Sequence, residues 1–256
     1  MRRDEDREER FDGEPDPEDF EPGPPRKPKH KRRGLFRVIA VLMAGMLVFQ
    51  SAYYLIDTFR LDAWSFLTAS YELSKQEDVQ EWQNAVTKIQ AIENGETSFG
   101  TGFFVEDASV FITNYHVVEG ADSVAVETEE GDLAEAAVVA VDKQDDLAVV
   151  TLEEQWQGGG VTLAETSASA GSDVIVIGNP LGFSDVANRG AIIEREEGRL
   201  VLDAPVFNGS SGSPVLTETG EVAGVVFASR EQQGESYGLA VPVERVREMI
   251  AQAEDN

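Results

Sequence analysis

Nine residues, Phe207-Asn-Gly-Ser-Ser-Gly-Ser-Pro-Val215, hold three serines and two glycines between apolar flanks. A serine hydroxyl becomes a nucleophile only when it is exposed and a neighbouring base can take its proton. Glycines two positions before and one after Ser211 let the chain turn tightly, so that backbone N–H groups can face a developing oxyanion. The same composition also suits a plain turn between two strands, and the upstream residues decide between the two. A base is available in His116, at the end of Phe111-Ile-Thr-Asn-Tyr-His116; the only other histidine is His30. Imidazole suits the task because its unperturbed pKa, about 6.5, lies near neutrality. Such a base needs a carboxylate on its second nitrogen. Asp142, Asp145 and Asp146 compete for that place. Asp146 directly precedes the apolar run Leu147–Leu152 and is the one drawn inward, whereas strand alternation would leave Asp145 facing water. The plainer readings are a structural histidine at a strand end and an acidic surface loop.

These residues must be positioned by short strands. From Val86 onward, runs of five to eight residues rich in Val, Ile, Phe and Ala alternate with turn residues. The pattern predicts strands at 86–92, 98–105, 110–114, 123–127, 134–141, 147–152, 173–177, 190–195, 200–203, 214–217, 222–228 and 237–241. They fall into two runs, divided near Gln157-Gly-Gly-Gly160. A final helix is predicted over 243–253, with Val246, Ile250 and Ala253 at helical spacing. Many short strands at even spacing indicate barrels or a sandwich.

Ahead of the strands lie three different stretches. Residues 1–33 carry both charges and six prolines with few large apolar side chains, which predicts a disordered tail. Seven Lys/Arg lie between Arg26 and Arg37, and residues 38–56 then contain no charge. Nineteen helical residues reach roughly 28 Å, about the hydrocarbon thickness of a bilayer. Residues 34–56 are therefore expected to form a single transmembrane helix, with the basic flank and tail in the cytoplasm and residues 57–256 outside. A cleaved signal peptide is the rival, but no small-x-small site follows the apolar run. Residues 57–85 read as a helical stalk, in which Leu61, Trp64, Leu67 and Tyr71 recur at helical spacing. Ser74-Lys-Gln-Glu77 reads as a capping box for a second segment with Val79, Trp82 and Val86 on one face. That stripe would pack on its own domain or on sister subunits.

Composition narrows the function further. The chain has no cysteine, so neither disulfides nor thiolate metal sites exist. Residues 57–256 hold 37 acids and 10 bases, which excludes nonspecific nucleic-acid binding and suits solubility at high salt.

Seven motifs then occur in one order: Gly100-Thr-Gly-Phe-Phe-Val105, Thr113-Asn-Tyr-His-Val-Val118, Asp146-Leu-Ala-Val149, Ile177-Gly-Asn-Pro-Leu-Gly182, Gly209-Ser-Ser-Gly-Ser-Pro214, Gly220-Glu-Val-Ala-Gly224 and Gly238-Leu-Ala-Val-Pro242. Residues 86–250 thereby resemble the catalytic domain of HtrA/Deg-type trypsin-like serine proteases. The resemblance implies a mostly β fold, a double six-stranded β-barrel, over residues 86–256. It also implies His116 as general base and acid, Asp146 as orienting carboxylate, Ser211 as nucleophile, and an oxyanion hole from the N–H groups of Gly209 and Ser211. Val206, Phe207, Val225 and Phe227 would line an apolar substrate pocket. Asp203, eight residues before Ser211, has the wrong offset for a pocket floor and reads as structural. No metal or organic cofactor is implied. A homotrimer is among the assemblies that the resemblance implies.

Two departures stand out. Ser213 occupies a position where glycine is commoner. The sequence ends at Asn256, so no PDZ domain is expected after the protease. The function expected is membrane-anchored serine endopeptidase action on unfolded or damaged extracytoplasmic proteins. The alternative is a catalytically silent protease-like module that binds or signals from the membrane.

Overall fold

In the computed structural model, backbone is described for residues 31–58, 68–180, 184–232 and 235–254, with side chains in the first segment described only over 36–50. The predicted tail over 1–33, apart from its last three residues, lies outside these, as do Leu61, Trp64 and Leu67 of the stalk and Leu181 and Gly182 of the fourth motif.

The chain divides into two units, residues 1–58 and 59–256. In the first, α1 (Lys31–Thr58) is a single helix of 28 residues that contains the expected span over 34–56. Its side chains from Phe36 to Gln50 are all exposed. Among the described residues no helix is long and apolar enough to cross a membrane.

The second unit holds twelve strands in two closed barrels. Strands β1 (Val86–Glu93), β2 (Glu96–Val105), β3 (Val110–Thr113), β4 (Ser123–Glu127), β5 (Leu133–Asp142) and β6 (Leu147–Leu152) close in the order 1-2-3-6-5-4. Strands β7 (Asp173–Gly178), β8 (Val186–Glu196), β9 (Arg199–Asp203), β10 (Pro214–Leu216), β11 (Val222–Gln232) and β12 (Glu235–Pro242) close in the order 7-8-9-12-11-10. Renumbered from one, the second order is the same as the first. All pairings are antiparallel. The twelve expected strands are these twelve. The largest boundary differences are four residues: β8 starts earlier because Val186-Ala-Asn-Arg pairs with β7 despite its polar half, and β11 runs on to Gln232 in its pairing with β12.

Two-residue alternation explains why the central strands are apolar on both faces. Ala148 and Val150 fill the first barrel, while Leu147 and Val149 point into a seam shared by the two barrels. Likewise Val174 and Val176 fill the second barrel, and Ile175 and Ile177 enter the seam. Phe103, fully buried there, contributes roughly 2–3 kcal/mol by leaving water.

The segment before β1 also belongs to the seam. Leu73, Val79 and Ala85 join it, with Trp82 packed against it. A Cβ at Gly220 would lie 2.2 Å from Trp82 Nε1, so the indole covers a turn of the second barrel. The expected capping box does not form. Helix α2 (Glu77–Gln83) starts from Gln76 without a side-chain cap, and the Ser74 hydroxyl instead accepts from Gln83 Nε2 at 2.8 Å. Helix α4 (Val243–Glu254) closes the chain with Val246, Met249 and Ile250 in the seam.

Candidate active site

The link between β3 and β4 folds into the one-turn helix α3 (Tyr115–Val118), which carries His116. Asn114 stands at its start, fully buried, but does not cap it. Its amide Nδ2 donates instead to the backbone carbonyl of Asp146 at 2.7 Å. Asp146 itself sits at φ +54, in the turn that enters β6, a conformation that Asp tolerates better than most residues. From there both carboxylate oxygens reach His116. Oδ1 accepts the backbone N–H at 2.9 Å, and Oδ2 meets the ring Nδ1 at 2.7 Å. Because a carboxylate only accepts, the Nδ1 proton faces Asp146, and in the neutral imidazole Nε2 carries the lone pair.

The three competing acids are thus sorted by geometry. Asp142 accepts the N–H groups of Gln144 and Asp145 at 2.9 and 3.0 Å and closes the turn. Asp145 does not face water as expected. Its side chain is only 14% exposed and pairs with Arg199 at 3.1 Å and Arg245 at 3.4 Å. The alternation used to place it holds inside a strand, and Asp145 lies in the turn before one.

Ser211 sits on the link between β9 and β10. Phe207 to Ser210 form a turn closed by Ser210 N–H to Phe207 O at 2.9 Å, and the φ of +95 at Gly209 makes it type II. Among the described residues, the N–H groups of Gly209 and Ser211 have no intramolecular acceptor. The loop is held to the first barrel through β2. Thr101 N–H donates to Ser211 O at 2.8 Å, and Thr101 Oγ1 donates to Gly209 O at 2.7 Å. Two glycines permit this approach. A Cβ at Gly212, φ +88, would lie 2.0 Å from Thr101 O. A Cβ at Gly100 would lie 2.6 Å from Val117 and 3.2 Å from Ser211 O. Gly100 is therefore wedged between the helix that carries His116 and the loop that carries Ser211. No hydrogen bond joins His116 to the Ser211 hydroxyl among the described residues.

The expected pocket residues are placed less openly. Val225 is fully buried in the seam and Val206 nearly so in the second barrel, while Phe207 and Phe227 are half-buried. The Arg199 guanidinium lies 5.2 Å above the Phe227 ring. Asp203 is exposed at the end of β9 and lines no described cavity. An open cavity of about 370 Å³ does touch the nucleophile loop, lined by Lys88, Phe99, Gly100, Asn179, Asn208 and Gly209. Ser213 is fully buried beside Gly178, where a Cβ would meet its hydroxyl at 2.0 Å.

Sequence reading gave Thr101 and Asn114 no role, although both lie inside recognised motifs. Neither stands out locally, since β2 also holds Glu96, Thr97 and Ser98, and Thr113 directly precedes Asn114.

Comparison with known proteins fits this geometry. The family described as trypsin-like peptidase domain matches residues 100–225. Human serine protease HTRA4 is 30% identical over 166 residues, 60% of this chain and 34% of that protein. The periplasmic serine endoprotease DegP of Salmonella typhimurium is 26% identical over 168 residues, 60% of this chain and 35% of that protein. The crystal structure of the active form of the Rv3671c protease from M. tuberculosis superimposes with TM-score 0.62 at 26% identity, over 70% of this chain and 85% of that one. The chain spans less than half the length of the curated relatives that it matches.

Proposed function

Because the chain carries a trypsin-like peptidase domain and belongs with the HtrA/DegP serine proteases, we propose that it is a serine endopeptidase working through Ser211, His116 and Asp146. The observation that carries this reading is the two-point grip of Asp146 on His116, whose helix meets the Ser211 loop across Gly100. His116 Nε2 takes the hydroxyl proton as Ser211 Oγ attacks the peptide carbonyl. The N–H groups of Gly209 and Ser211 stabilise the oxyanion. The same nitrogen then returns the proton to the departing amine, and water resolves the acyl-enzyme by the reverse sequence. The Oγ to Nε2 hydrogen bond forms with substrate in place, since such bonds are often long or unaligned in the free enzyme. Phe207 and Phe227 meet the side chain before the scissile bond, with Val206 and Val225 behind them.

We further propose that α1 anchors the chain, with the catalytic domain outside the cytoplasm. Support comes from the large apolar side chains exposed on every side of α1, Phe36, Leu42, Met46 and Phe49 among them, and from the basic residues that precede it. The substrates are unfolded or damaged extracytoplasmic proteins, which offer extended strands to the cleft edge.

The test is casein hydrolysis by the full chain in detergent. Wild type should cleave, and Ser211→Ala should lose roughly 10³–10⁶-fold in kcat. Labelling of Ser211 by a fluorophosphonate separates this reading from a silent binding module: no label and no cleavage by folded protein would sink it.

A further inference from the structure

We propose that Thr101 is a positioning residue for the oxyanion hole: from the first barrel, this one residue holds the carbonyls of both residues whose N–H groups form it. The inference rests on the protease reading above and adds a residue to it.

Thr101 is fully buried on β2, and each of its polar groups is used. Its N–H donates to Ser211 O at 2.8 Å. Its carbonyl accepts from Thr113 Oγ1 at 2.7 Å. Its hydroxyl accepts the N–H of Asn179 at 3.0 Å and donates to Gly209 O at 2.7 Å. The direction of that last bond is fixed. A backbone N–H can only donate, so the single hydroxyl proton is left for the Gly209 carbonyl.

Gly209 and Ser211 are the two proposed oxyanion donors. With both carbonyls tied to one side chain and its own backbone, the spacing of the two N–H groups is set by Thr101. Thr113, which holds the Thr101 carbonyl, lies three residues before His116, so the same anchor relates the donors to the base. Donor geometry matters at this scale because an oxyanion hole acts only when its donors are aimed in advance at where charge develops. Glycine at 209 and 212 gives the loop little stiffness of its own, since that residue visits either sign of φ freely. The stiffness is supplied across the seam.

The Asn179 bond extends the anchor. Asn179 Oδ1 accepts the N–H of Asp185 at 2.9 Å, and the Asp185 carbonyl accepts from Gln83 Nε2 of α2. A chain of hydrogen bonds thus runs from α2 through the β7–β8 link to Thr101 and Gly209.

The test compares wild type, Thr101→Val, Thr101→Ala and Thr101→Ser as full chains in detergent. Rates are normalised to the fraction labelled by a fluorophosphonate, so that misfolded protein does not count. Removing the hydroxyl should lower kcat about 10–100-fold with KM within about twofold, less than the loss of a donor itself. Affinity for a peptidyl boronate, a transition-state analogue, should fall in parallel with kcat/KM. Thr101→Ser should recover kcat to within about threefold. A structural role alone would lower Tm in Val and Ala while leaving kcat and boronate affinity unchanged, and that result overturns the inference while the protease reading stands. A wild type that neither cleaves nor labels overturns both.

Discussion

The two barrels share one strand order, and in each the link between the third and fourth strands carries a residue of the proposed triad: His116 between β3 and β4, Ser211 between β9 and β10. The two links are held in opposite ways. The His116 link is fixed by its own barrel, through Asn114 and both oxygens of Asp146. The Ser211 link has internal turns and bonds to the neighbouring β11, and its outward side is tied to Thr101 of the other barrel. A base must keep one tautomer and one orientation, which a local carboxylate provides. A nucleophile loop must match its donors to that base, so the element that sets its position has to come from the base's own barrel.

The contrast breaks hardest at Asp146. Asp146→Asn would present an amide where His116 Nδ1 needs an acceptor, which favours the wrong tautomer. A drop in kcat of about 10⁴-fold is expected, with little change in KM. Asp145→Asn is the control one residue away. It loses pairs with Arg199 and Arg245 and should lower Tm while leaving kcat within a few-fold. Steady-state kinetics on both variants decide the matter; equal kcat losses would mean that the turn as a whole matters, and not the grip on His116.

The second contrast concerns the outside support of the Ser211 link. Asp185 lies at φ +58 in the β7–β8 link, in a cavity shared with Thr87, Lys88 and Glu127. Burial first, and then the Glu127 carboxylate, raise its pKa to about 6, against a partial opposing effect of Lys88. The folded pKa is above the unfolded one, so the folded state holds the proton longer. Stability from this group is therefore full below about pH 4 and declines as pH rises through 6. Asp185→Asn should remove that decline and raise stability at pH 8 by roughly 1–2 kcal/mol once partial solvent access is allowed for, with no gain at pH 4. Urea denaturation at the two pH values measures it. A gain of equal size at both would mean that the carboxyl titrates normally.

Much of this was legible because the barrels obey alternation. Runs such as Val174-Ile-Val-Ile177 and Leu147-Ala-Val-Val150 announce strands buried on both faces, while twelve short strands indicated barrels or a sandwich and only the family resemblance implied two barrels. His116 and Ser211 were legible as the one histidine after His30 and as the serine with glycines two positions before and one after. What stayed hidden depends on the third dimension. The burial of Asp145 against Arg199 and Arg245 follows from turn geometry, which strand alternation does not reach. Thr101 reaches Gly209 across 108 positions, and no local pattern encodes that contact. Ser74 resembles a cap by spacing, but helix α2 starts at Glu77 and a competing acceptor role takes its hydroxyl.

The smallest effect lies where the nucleophile loop enters the seam. Ser213 stands two residues after Ser211, fully buried, and its hydroxyl has no hydrogen-bond partner among the described residues. The missing Cβ of Gly178 makes room for it, since that atom would lie 2.0 Å from Ser213 Oγ. The hydroxyl therefore gives up its hydration without a replacement, which costs about 1 kcal/mol or more. Ser213→Ala removes the group and keeps the shape, so Tm should rise by about 2–4 °C. Gly178→Ala in the wild-type background should do the opposite, because the new methyl meets the hydroxyl in a seam with no slack. The double variant should recover part of that loss, by the coupling expected of side chains in contact. Thermal unfolding of the four proteins reads the cycle. Strict additivity would show that Gly178 and Ser213 are not packed against one another, and that the seam is looser at the nucleophile loop than along the strands.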